Sequence, residues 1–255
     1  MKIKISSALA TYNEENNIVD CIKSLKQFAD EIVIVDGSST DRTASLAKEM
    51  KAKVIETTNK SMFHVNKNMA IDNCTGDWIF LIDADERISP QLASEIKKIV
   101  GKKPAENGFW VNRKNWFLGG YLEKGGAYPD KVIRLFKRGK GRLPENDVHE
   151  QVKIEGNVGN LREDILHLAD PTFSRYLMRA NRYTEQTAQK ITEKDPGSGP
   201  ITAIKYIFFK PVFTFISIYL RHKGYVDGFR GFAWALFSSA HHFYSYIKYW
   251  EKHRR

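Results

Sequence analysis

Over residues 1–100, short apolar runs rich in Ile and Val alternate with longer segments in which apolar residues recur every three or four positions. The short runs predict buried strands, and the longer segments predict helices. The predicted strands are 3–9, 32–35, 53–56 and 77–82. The predicted helices are 14–28, 62–73 and 90–100, together with a further helix that follows the capping residues 39–41 and ends at residue 50. Strands that alternate with helices indicate a mostly parallel sheet, in which the carboxyl ends of the strands lie along one edge.

The pattern changes after residue 100. Longer strands are predicted at 107–117 and 131–137, with a glycine-rich stretch between them and a short strand at 151–155. After residue 170 the chain is helical, with a helix at 173–193, a Pro- and Gly-rich linker at 195–200 and two further helical stretches. We therefore predict an α/β fold with a mixed sheet flanked by helices over residues 1–170, divided near residue 100, and a helical extension over residues 171–255.

Two carboxylates follow the apolar run that ends the fourth predicted strand. Asp83 and Asp85 lie one residue apart, directly after Ile82. Open α/β sheets bind their ligands beyond the carboxyl ends of the strands. Carboxylate oxygens suit Mg²⁺ or Mn²⁺, with phosphate oxygens completing the coordination shell. The pair therefore predicts a site for a metal and a diphosphate, and a solvated turn before a helix is the alternative.

Three more polar loops follow the other N-terminal strands, at residues 10–16, 36–41 and 57–60. All four loops should meet at one edge of the sheet, and such convergence is a stronger signal than any single loop. Asp36 ends a buried strand and precedes a Gly-Ser-Ser turn, where its carboxylate would suit the imide N–H of a uracil ring. An Asx turn or a helix cap is the alternative for Asp36.

The basic charge of the chain is concentrated in its last third. The formal net charge is +10, and residues 171–255 carry +9 of it, from 14 Lys and Arg against 5 Asp and Glu. Aromatic residues accompany these charges, a composition typical of helices at a membrane surface. We expect an anionic membrane surface as partner, with a helical pair packed on the sheet domain or in a homo-oligomer interface as the alternative. No RNA-recognition signature is present, so we expect no nucleic acid partner.

Three further features bear on localisation. The N-terminal residues lack a signal-peptide pattern, and the two cysteines, Cys21 and Cys74, lie in apolar helical patterns typical of reduced buried thiols. The most apolar stretch, 201–220, contains Lys205, Lys210 and Pro211, so no uninterrupted apolar stretch is long enough for a spanning helix. We therefore expect a cytoplasmic protein that is peripheral at the inner membrane face.

Three sequence strings together resemble a known family: ALATYNEENNI, IVIVDGSSTDRT and GDWIFLIDADER. They look like those of inverting family 2 glycosyltransferases with the GT-A fold, and the third is similar to the bacterial lipopolysaccharide core β-glucosyltransferases. The tail string GYVDG extends the resemblance toward the C-terminus. The resemblance implies that residues 1–100 bind the nucleotide and 101–170 the acceptor.

The resemblance also implies roles for individual residues. The positions that match the nucleotide-binding motifs are Ala10 and Thr11 facing the base, Glu14 contacting the nucleotide, Asp36 reading uracil and Lys67 near the nucleoside. Within the DxD motif, Asp83 is expected near the ribose or sugar, and Asp85 is expected to hold Mn²⁺ or Mg²⁺ on the diphosphate. Arg134 could neutralise the diphosphate, although an exposed cross-strand charge is an equal alternative.

The catalytic base must be a carboxylate from the second half of the domain, because the first half binds the nucleotide. Glu150 is our candidate, since a His-Glu dipeptide recurs there in the resembling subgroup, and His149 would position the diphosphate or metal. Glu145 and Asp147 are the rivals. His167 lies on an apolar background, which favours a core histidine and leaves a metal or phosphate contact open.

The expected activity is inverting transfer of a sugar from a UDP-sugar, with UDP-glucose favoured, to a hydroxyl of a surface glycan or glycolipid such as the lipopolysaccharide inner core. A sugar-phosphate nucleotidyltransferase is one alternative, but the first loop is acidic and lacks the glycines and arginine of a phosphate-binding loop. A non-catalytic membrane-binding protein with a degenerate donor fold is the other.

Overall fold

The computed structural model describes residues 3–60, 62–145, 151–194, 196–197 and 199–253. The strands are β1 (Ile5–Thr11), β2 (Glu31–Asp36), β3 (Lys53–Glu56), β4 (Trp78–Leu81), β5 (Glu86–Ile88), β6 (Gly108–Phe117), β7 (Gly120–Tyr121), β8 (Asp130–Lys137), β9 (Gly141–Arg142), β10 (Lys153–Ile154) and β11 (Val158–Asp170). The helices are α1 (Ile18–Leu25), α2 (Thr43–Glu49), α3 (Phe63–Asp72), α4 (Pro90–Gly101), α5 (Phe173–Lys194), α6 (Pro200–Ile204), α7 (Lys210–Ile216) and α8 (Gly228–His253). Two π-helical segments, Lys205–Phe209 and Ser217–Arg221, continue α6 and α7, and a 3₁₀ turn spans Gly224–Asp227.

Within the described residues, the main sheet has nine strands in the order β3-β2-β1-β4-β8-β6-β11-β5, with β7 paired to β6. Strands β3, β2, β1 and β4 are parallel, whereas β8 pairs with β4 and β5 pairs with β11 in the antiparallel sense. The predicted fold class, a mixed sheet with flanking helices and a helical C-terminal region, is confirmed. The parallel half places the loops after β1, β2 and β4 at one edge, as predicted.

Strand β2 is apolar from Ile32 to Val35 because both faces of the sheet are covered there. Along β2, Ile34 packs into one core cluster, and Val33 and Val35 pack into the other. Successive side chains of a strand point to opposite faces, so a strand buried on both sides reads as a continuous apolar run. The helix α1 lies over the first face and buries Ile18 and Ile22, among other residues, with helical spacing.

Helix α4 begins where the sequence predicts it. Ser89 is the N-cap, and its hydroxyl accepts a 3.1 Å hydrogen bond from the backbone N–H of Leu92. Pro90 occupies the first turn, where a missing N–H costs nothing. The helix continues to Gly101 and buries Leu92 and Ile96 against the sheet.

The longest strand, β11, is absent from the sequence prediction, and so is the short strand β5. Three consecutive charged residues, Arg162, Glu163 and Asp164, interrupt the apolar pattern of β11. Glu95 accepts hydrogen bonds from the backbone N–H groups of Arg162 and Glu163. The Glu95 side chain therefore supplies hydrogen-bond acceptors to β11, and the pattern of apolar residues along the strand does not reveal them.

The chain packs as two compact units, one formed by Met1–Arg113 and Lys131–His167 and the other by Lys114–Asp130 and Leu168–Arg255. The segment Lys114–Asp130, inside the predicted residues 1–170, thus groups with the helical residues. The first unit contains the parallel half of the sheet. The division of the chain into a catalytic domain at 1–170 and an extension at 171–255 stays a prediction.

In the second unit, the GYVDG string forms the 3₁₀ turn between α7 and α8. The carboxylate of Asp227 accepts hydrogen bonds of 3.0 and 2.9 Å from the backbone N–H groups of Glu123 and Lys124. A Cβ at Gly231 would meet the carbonyl oxygen of Gly224 at 1.7 Å, so this approach requires glycine. The glycine-rich stretch before β8 is therefore hydrogen-bonded to this turn.

Residues Pro200–Arg221 form one helical stretch of 22 residues, which contains an 18-residue window with a mean hydropathy of 1.5, and none of that window is buried. By length and composition alone, this stretch could cross a membrane, so the expectation that no segment is long enough is corrected.

Candidate active site

Asp36 and Thr11 lie side by side at the carboxyl ends of β2 and β1. They are register partners, and the Thr11 hydroxyl donates a 3.0 Å hydrogen bond to Oδ1 of Asp36. Ser39 donates to the same carboxylate through its hydroxyl, at 2.6 Å, and through its backbone N–H, at 2.8 Å. Asp36 is 1% exposed. Its Asx-turn contacts fix the carboxylate rotamer, and a fixed carboxylate is also what base recognition requires.

Hydrogen bonds join the loop after β1 to the loop after β2. Oδ1 of Asn13 accepts a 2.8 Å bond from the backbone N–H of Thr40, and the Ser39 hydroxyl accepts one of 2.9 Å from the N–H of Asn13. The backbone N–H of Glu14 donates to the Thr43 hydroxyl at 2.7 Å. Asn13 adopts a positive φ of 54°, which Asn tolerates better than most residues. The loops after β1 and β2 are therefore joined by hydrogen bonds into one surface at the edge of the sheet, which we call the rim.

Glu14 and Ala10 occupy this rim. The carboxylate of Glu14 accepts a 2.7 Å hydrogen bond from the side-chain amide of Asn17. Ala10 is the register partner of Val35 and precedes Thr11 at the end of β1. Their expected contacts with the nucleotide stay predictions.

Asp83, whose side chain is 28% exposed, lies at the centre of an ion cluster whose other members are buried. Arg134 of β8 donates a 2.7 Å hydrogen bond from Nη2 to Oδ2 of Asp83, and Nζ of Lys67, on α3, pairs with Oδ1. Burial raises the pKa of Asp83, but the Arg134 guanidinium and the Lys67 ammonium outweigh burial and hold this pKa well below its ordinary value. Asp83 is therefore an ionised acceptor at neutral pH. The expected direct contacts of Lys67 and Arg134 with the nucleoside and diphosphate stay predictions.

Glu86 completes this cluster and has no assigned role in the sequence prediction. It is fully buried, and its Oε1 accepts a 2.6 Å bond from Nη2 of Arg134, with Nη1 of Arg113 at 3.5 Å. Its Oε2 accepts a 3.0 Å hydrogen bond from the backbone N–H of Asp83. Glu86 and Ile88 are the buried alternate residues of β5. Recognising that short strand would have identified Glu86 as an inward carboxylate.

Asp85 faces His167 of β11. Nε2 of His167 lies 3.5 Å from Oδ2 of Asp85. Burial raises the pKa of Asp85. The hydrogen bond from His167 and its charge lower this pKa by more, so that the pKa of Asp85 lies below its ordinary value. Burial lowers the pKa of His167, and Asp85 outweighs this and raises it. His167 is therefore a mostly buried histidine whose polar partner is Asp85, the candidate metal ligand.

The donor set around Asp85 is small. Within the described ranges, no group of three or more His, Cys, Asp or Glu side chains could hold a metal ion. Both oxygens of Asp83 are engaged by cationic side chains, which leaves Asp85, with His167 beside it, as the fitting donors. A carboxylate and an imidazole suit Mn²⁺, provided that substrate oxygens and water supply the remaining ligands.

Polar residues of α3 hold the chain just before the proposed base. Nδ1 of His64 lies 2.6 Å from the carbonyl oxygen of Pro144, and the Asn68 amide donates to the Glu145 carboxylate at 2.8 Å. Glu145, a rival for the base, is thus hydrogen-bonded. Glu150, His149 and Asp147 lie outside the described residues.

The register of the parallel strands places the acidic groups at the same edge. Strand β1 lies between β2 and β4, with Thr11 opposite Asp36 and Ala8 opposite Leu81. Asp83 follows Leu81 by two residues, close to the level of Ala10. Two strand spacings separate β2 from β4, which puts the backbones of Asp36 and Asp83 about 10 Å apart. The predicted convergence of the loops is therefore confirmed for β1, β2 and β4.

Sequence comparisons identify the family. The family model "Glycosyl transferase family 2" matches residues 6–144. The chain is 30% identical to the lipopolysaccharide core biosynthesis glycosyltransferase LpsC of Rhizobium meliloti, over 99% of this chain and 94% of that protein. It is 26% identical to an uncharacterized glycosyltransferase of Rickettsia typhi, over 90% and 80%. The chain belongs to glycosyltransferase family 2, as predicted.

Solved structures agree on the fold. TarS 1–349 of S. aureus, in complex with UDP-GlcNAc, matches with a TM-score of 0.53 and 14% identity, over 99% of this chain and 90% of that one. The mannosyltransferase PcManGT of Pyrobaculum calidifontis, in complex with GDP-Man and Mn²⁺, matches with a TM-score of 0.51 and 15% identity, over 99% and 88%. At such identities the likeness shows the fold alone, and the predicted GT-A fold is confirmed.

Proposed function

We propose that this protein is an inverting, metal-dependent glucosyltransferase that uses UDP-glucose and glucosylates a hydroxyl of a lipopolysaccharide inner-core acceptor. The proposal is supported by one observation: in a chain of glycosyltransferase family 2, the segments that contain Asp36, Asp83 and Asp85 lie at the same edge of the sheet. The core-biosynthesis name of the Rhizobium meliloti relative supports the acceptor class. The UDP-GlcNAc complex of TarS supports a uridine donor, whereas the GDP-Man complex of PcManGT shows that the fold alone does not select the base.

In this proposal, the rim formed by the loops after β1 and β2 binds the nucleoside. Asp36, fixed by Thr11 and Ser39, accepts the imide N–H of uracil, and Ala10 and Glu14 line the same rim. Asp83 accepts ribose or sugar hydroxyls, because Lys67 and Arg134 keep its carboxylate ionised. Hydrogen bonds to a charged acceptor contribute about 1.5–3 kcal/mol each.

Asp85 holds the divalent cation, with His167 beside it. When bound, Mn²⁺ or Mg²⁺ neutralises charge on the diphosphate. The buried Arg134 contributes positive charge near the same place, and His149 is the further proposed contact with the diphosphate or metal. Asp83 and Glu86 balance the charge of Arg134, so the guanidinium is held in position before the substrate arrives.

Glu150 is the proposed base. Its carboxylate takes the proton of the acceptor hydroxyl, whose oxygen forms a bond to the anomeric carbon on the face opposite UDP. The bond between this carbon and the diphosphate oxygen breaks, and UDP leaves with the electron pair. A single displacement of this kind inverts the anomeric configuration. We further propose that the protein is cytoplasmic and peripheral at the inner membrane face, where a glycolipid acceptor would be accessible.

Hydrolysis of a panel of UDP- and GDP-sugars tests the proposal without an acceptor. We expect slow, Mn²⁺-stimulated release of UDP from UDP-glucose, faster than from other UDP-sugars and from GDP-mannose. Release from GDP-sugars only would refute the role of Asp36 in reading uracil. No release from any donor, together with no UDP binding, would favour the non-catalytic alternative.

A further inference from the structure

The second unit exposes an unusually apolar helical surface. Six large side chains of the stretch Pro200–Arg221 are more than half exposed, and we call them the apolar ridge. They are Ile201 (85%), Ile204 (53%), Phe208 (60%), Phe209 (61%), Phe213 (70%) and Leu220 (56%). Soluble proteins rarely expose an apolar patch of this size without a partner for it.

The opposite side of this stretch is already packed. Tyr206 stacks on Tyr246 of α8 at 5.5 Å between ring centroids, and Ala203 packs against the same cluster. The Thr214 hydroxyl lies 2.9 Å from Nε2 of His242, also on α8. The stretch is therefore apolar both on a half-buried side that packs against α8 and on an exposed side. A helix that is apolar nearly all round is either enclosed by protein or placed in a membrane.

Positive charge borders the ridge. Residues 200–253 contain seven Lys and Arg against two Asp and Glu. Lys205 and Lys223 are exposed, whereas Asp227, one of the two acids, accepts hydrogen bonds from backbone N–H groups. An anionic lipid surface complements this charge. A second copy of the chain would instead bring the same positive charge against itself, which disfavours self-association through this face.

The charges also decide how the stretch would sit in a bilayer. Lys210 lies near its middle, with Nζ 3.7 Å from the ring centroid of Tyr206. In a spanning orientation this ammonium would be near the bilayer centre, where a charge is costly. Lying along the interface, the lysine stems can reach the headgroups while the aromatic rings enter the acyl region.

We propose that the apolar ridge inserts into the interface of an anionic lipid bilayer, with the stretch Pro200–Arg221 parallel to the membrane plane. This proposal rests on the proposed function in one respect: the role of membrane binding would be to bring the transferase to a glycolipid acceptor. Membrane binding itself needs neither donor nor acceptor.

Vesicle co-sedimentation of the full chain tests the ridge. We expect binding to vesicles of phosphatidylcholine mixed with phosphatidylglycerol, and weaker binding to phosphatidylcholine alone. The variant Phe209→Ser/Phe213→Ser should weaken binding by about tenfold or more, since it removes two exposed aromatic rings. The matched variant Phe209→Leu/Phe213→Leu should bind nearly as well as the wild type. Equal binding by the Ser and Leu variants, or no binding by the wild type, would overturn the proposal.

A second pair of variants tests the charge. Lys205→Gln/Lys223→Gln should weaken binding to the anionic vesicles by about fivefold per charge. Lys97→Gln/Lys102→Gln, which removes two exposed lysines of the first unit, should change it little. Equal losses in the two pairs would mean nonspecific charge attraction and would contradict the assigned surface.

Two further readouts separate the remaining outcomes. Alkaline carbonate should release the protein from host membranes, whereas retention would indicate a spanning helix and overturn the in-plane orientation. Light scattering that shows a dimer abolished by Phe209→Ser/Phe213→Ser, without vesicle binding, would assign the ridge to a second copy. Donor hydrolysis by the Ser variant should equal that of the wild type, so failure of the transferase proposal is distinguishable from failure of this one.

Discussion

Arg134 donates a 2.7 Å hydrogen bond to Asp83 and a 2.6 Å hydrogen bond to Glu86 from the same nitrogen. This guanidinium therefore ties β8, in the antiparallel half of the sheet, to the acidic motif that follows β4. Removing one partner of a buried ion pair leaves an uncompensated charge, which costs more than the pair itself contributes. The cluster makes the position of Asp83 depend on Arg134 and, through Arg134, on Glu86, which has no assigned contact with the nucleotide.

Glu86→Gln should destabilise the protein, because it removes the negative charge that balances Arg134 and Arg113. We expect a loss of about 3 kcal/mol in the free energy of unfolding, measured by urea denaturation. Glu155→Gln is the control, since Glu155 pairs with Lys140 at an exposed site, and surface pairs contribute little. Equal stability of the two variants would contradict the structural role of Glu86.

Asp36→Asn should weaken UDP binding by roughly 10- to 100-fold, because a charged acceptor for the imide N–H becomes neutral. Isothermal titration calorimetry with UDP measures this loss. Glu56→Gln is a matched control, since Glu56 is the register partner of Asp36 on β3 but is exposed and pairs with Lys48. If both variants bind UDP like the wild type, Asp36 does not read the base.

Asp85→Ala should abolish the part of UDP affinity that depends on Mn²⁺ and leave the metal-independent part nearly unchanged. The comparison is made by calorimetry in Mn²⁺ and in EDTA. His167→Gln should reduce the metal-dependent part less than Asp85→Ala does, because it removes only the neighbouring imidazole. A full Mn²⁺ effect in Asp85→Ala would refute the metal-ligand role.

Glu150→Gln should keep the wild-type affinity for UDP but lower the transfer rate by about 100-fold or more, as expected for loss of a general base. Glu145→Gln is the informative comparison, because the Glu145 carboxylate is held by Asn68. Near-normal transfer by Glu150→Gln would move the role to Glu145 or Asp147. The quantity to measure is the rate of sugar transfer to the acceptor, rather than the rate of donor hydrolysis.

The sequence predicted the elements whose patterns are local. Strand β2 was recognisable because Ile32 to Val35 are all buried between two cores, and α4 because Ser89 and Pro90 mark its start. Strand β11 was not recognisable, because three consecutive charged residues interrupt its apolar pattern. Glu95, which accepts hydrogen bonds from the backbone N–H groups of two of them, lies far away in the chain.

For the site, sequence reasoning predicted which loops meet but not how the side chains pair. Lys67 and Arg134 were expected at the substrate, and the structure joins both to Asp83. Such pairing depends on contacts between residues 16 and 51 positions apart in the sequence, which no local pattern encodes. The buried role of Glu86 was hidden for the same reason.

Calorimetry of the wild-type chain with UDP, in the presence of Mn²⁺ and then of EDTA, tests the central claim most directly. If Asp36 and Asp85 act on one nucleotide, UDP should bind with one-to-one stoichiometry, and EDTA should weaken the binding markedly. Absence of UDP binding, or an affinity that is equal under both conditions, would contradict the proposed site.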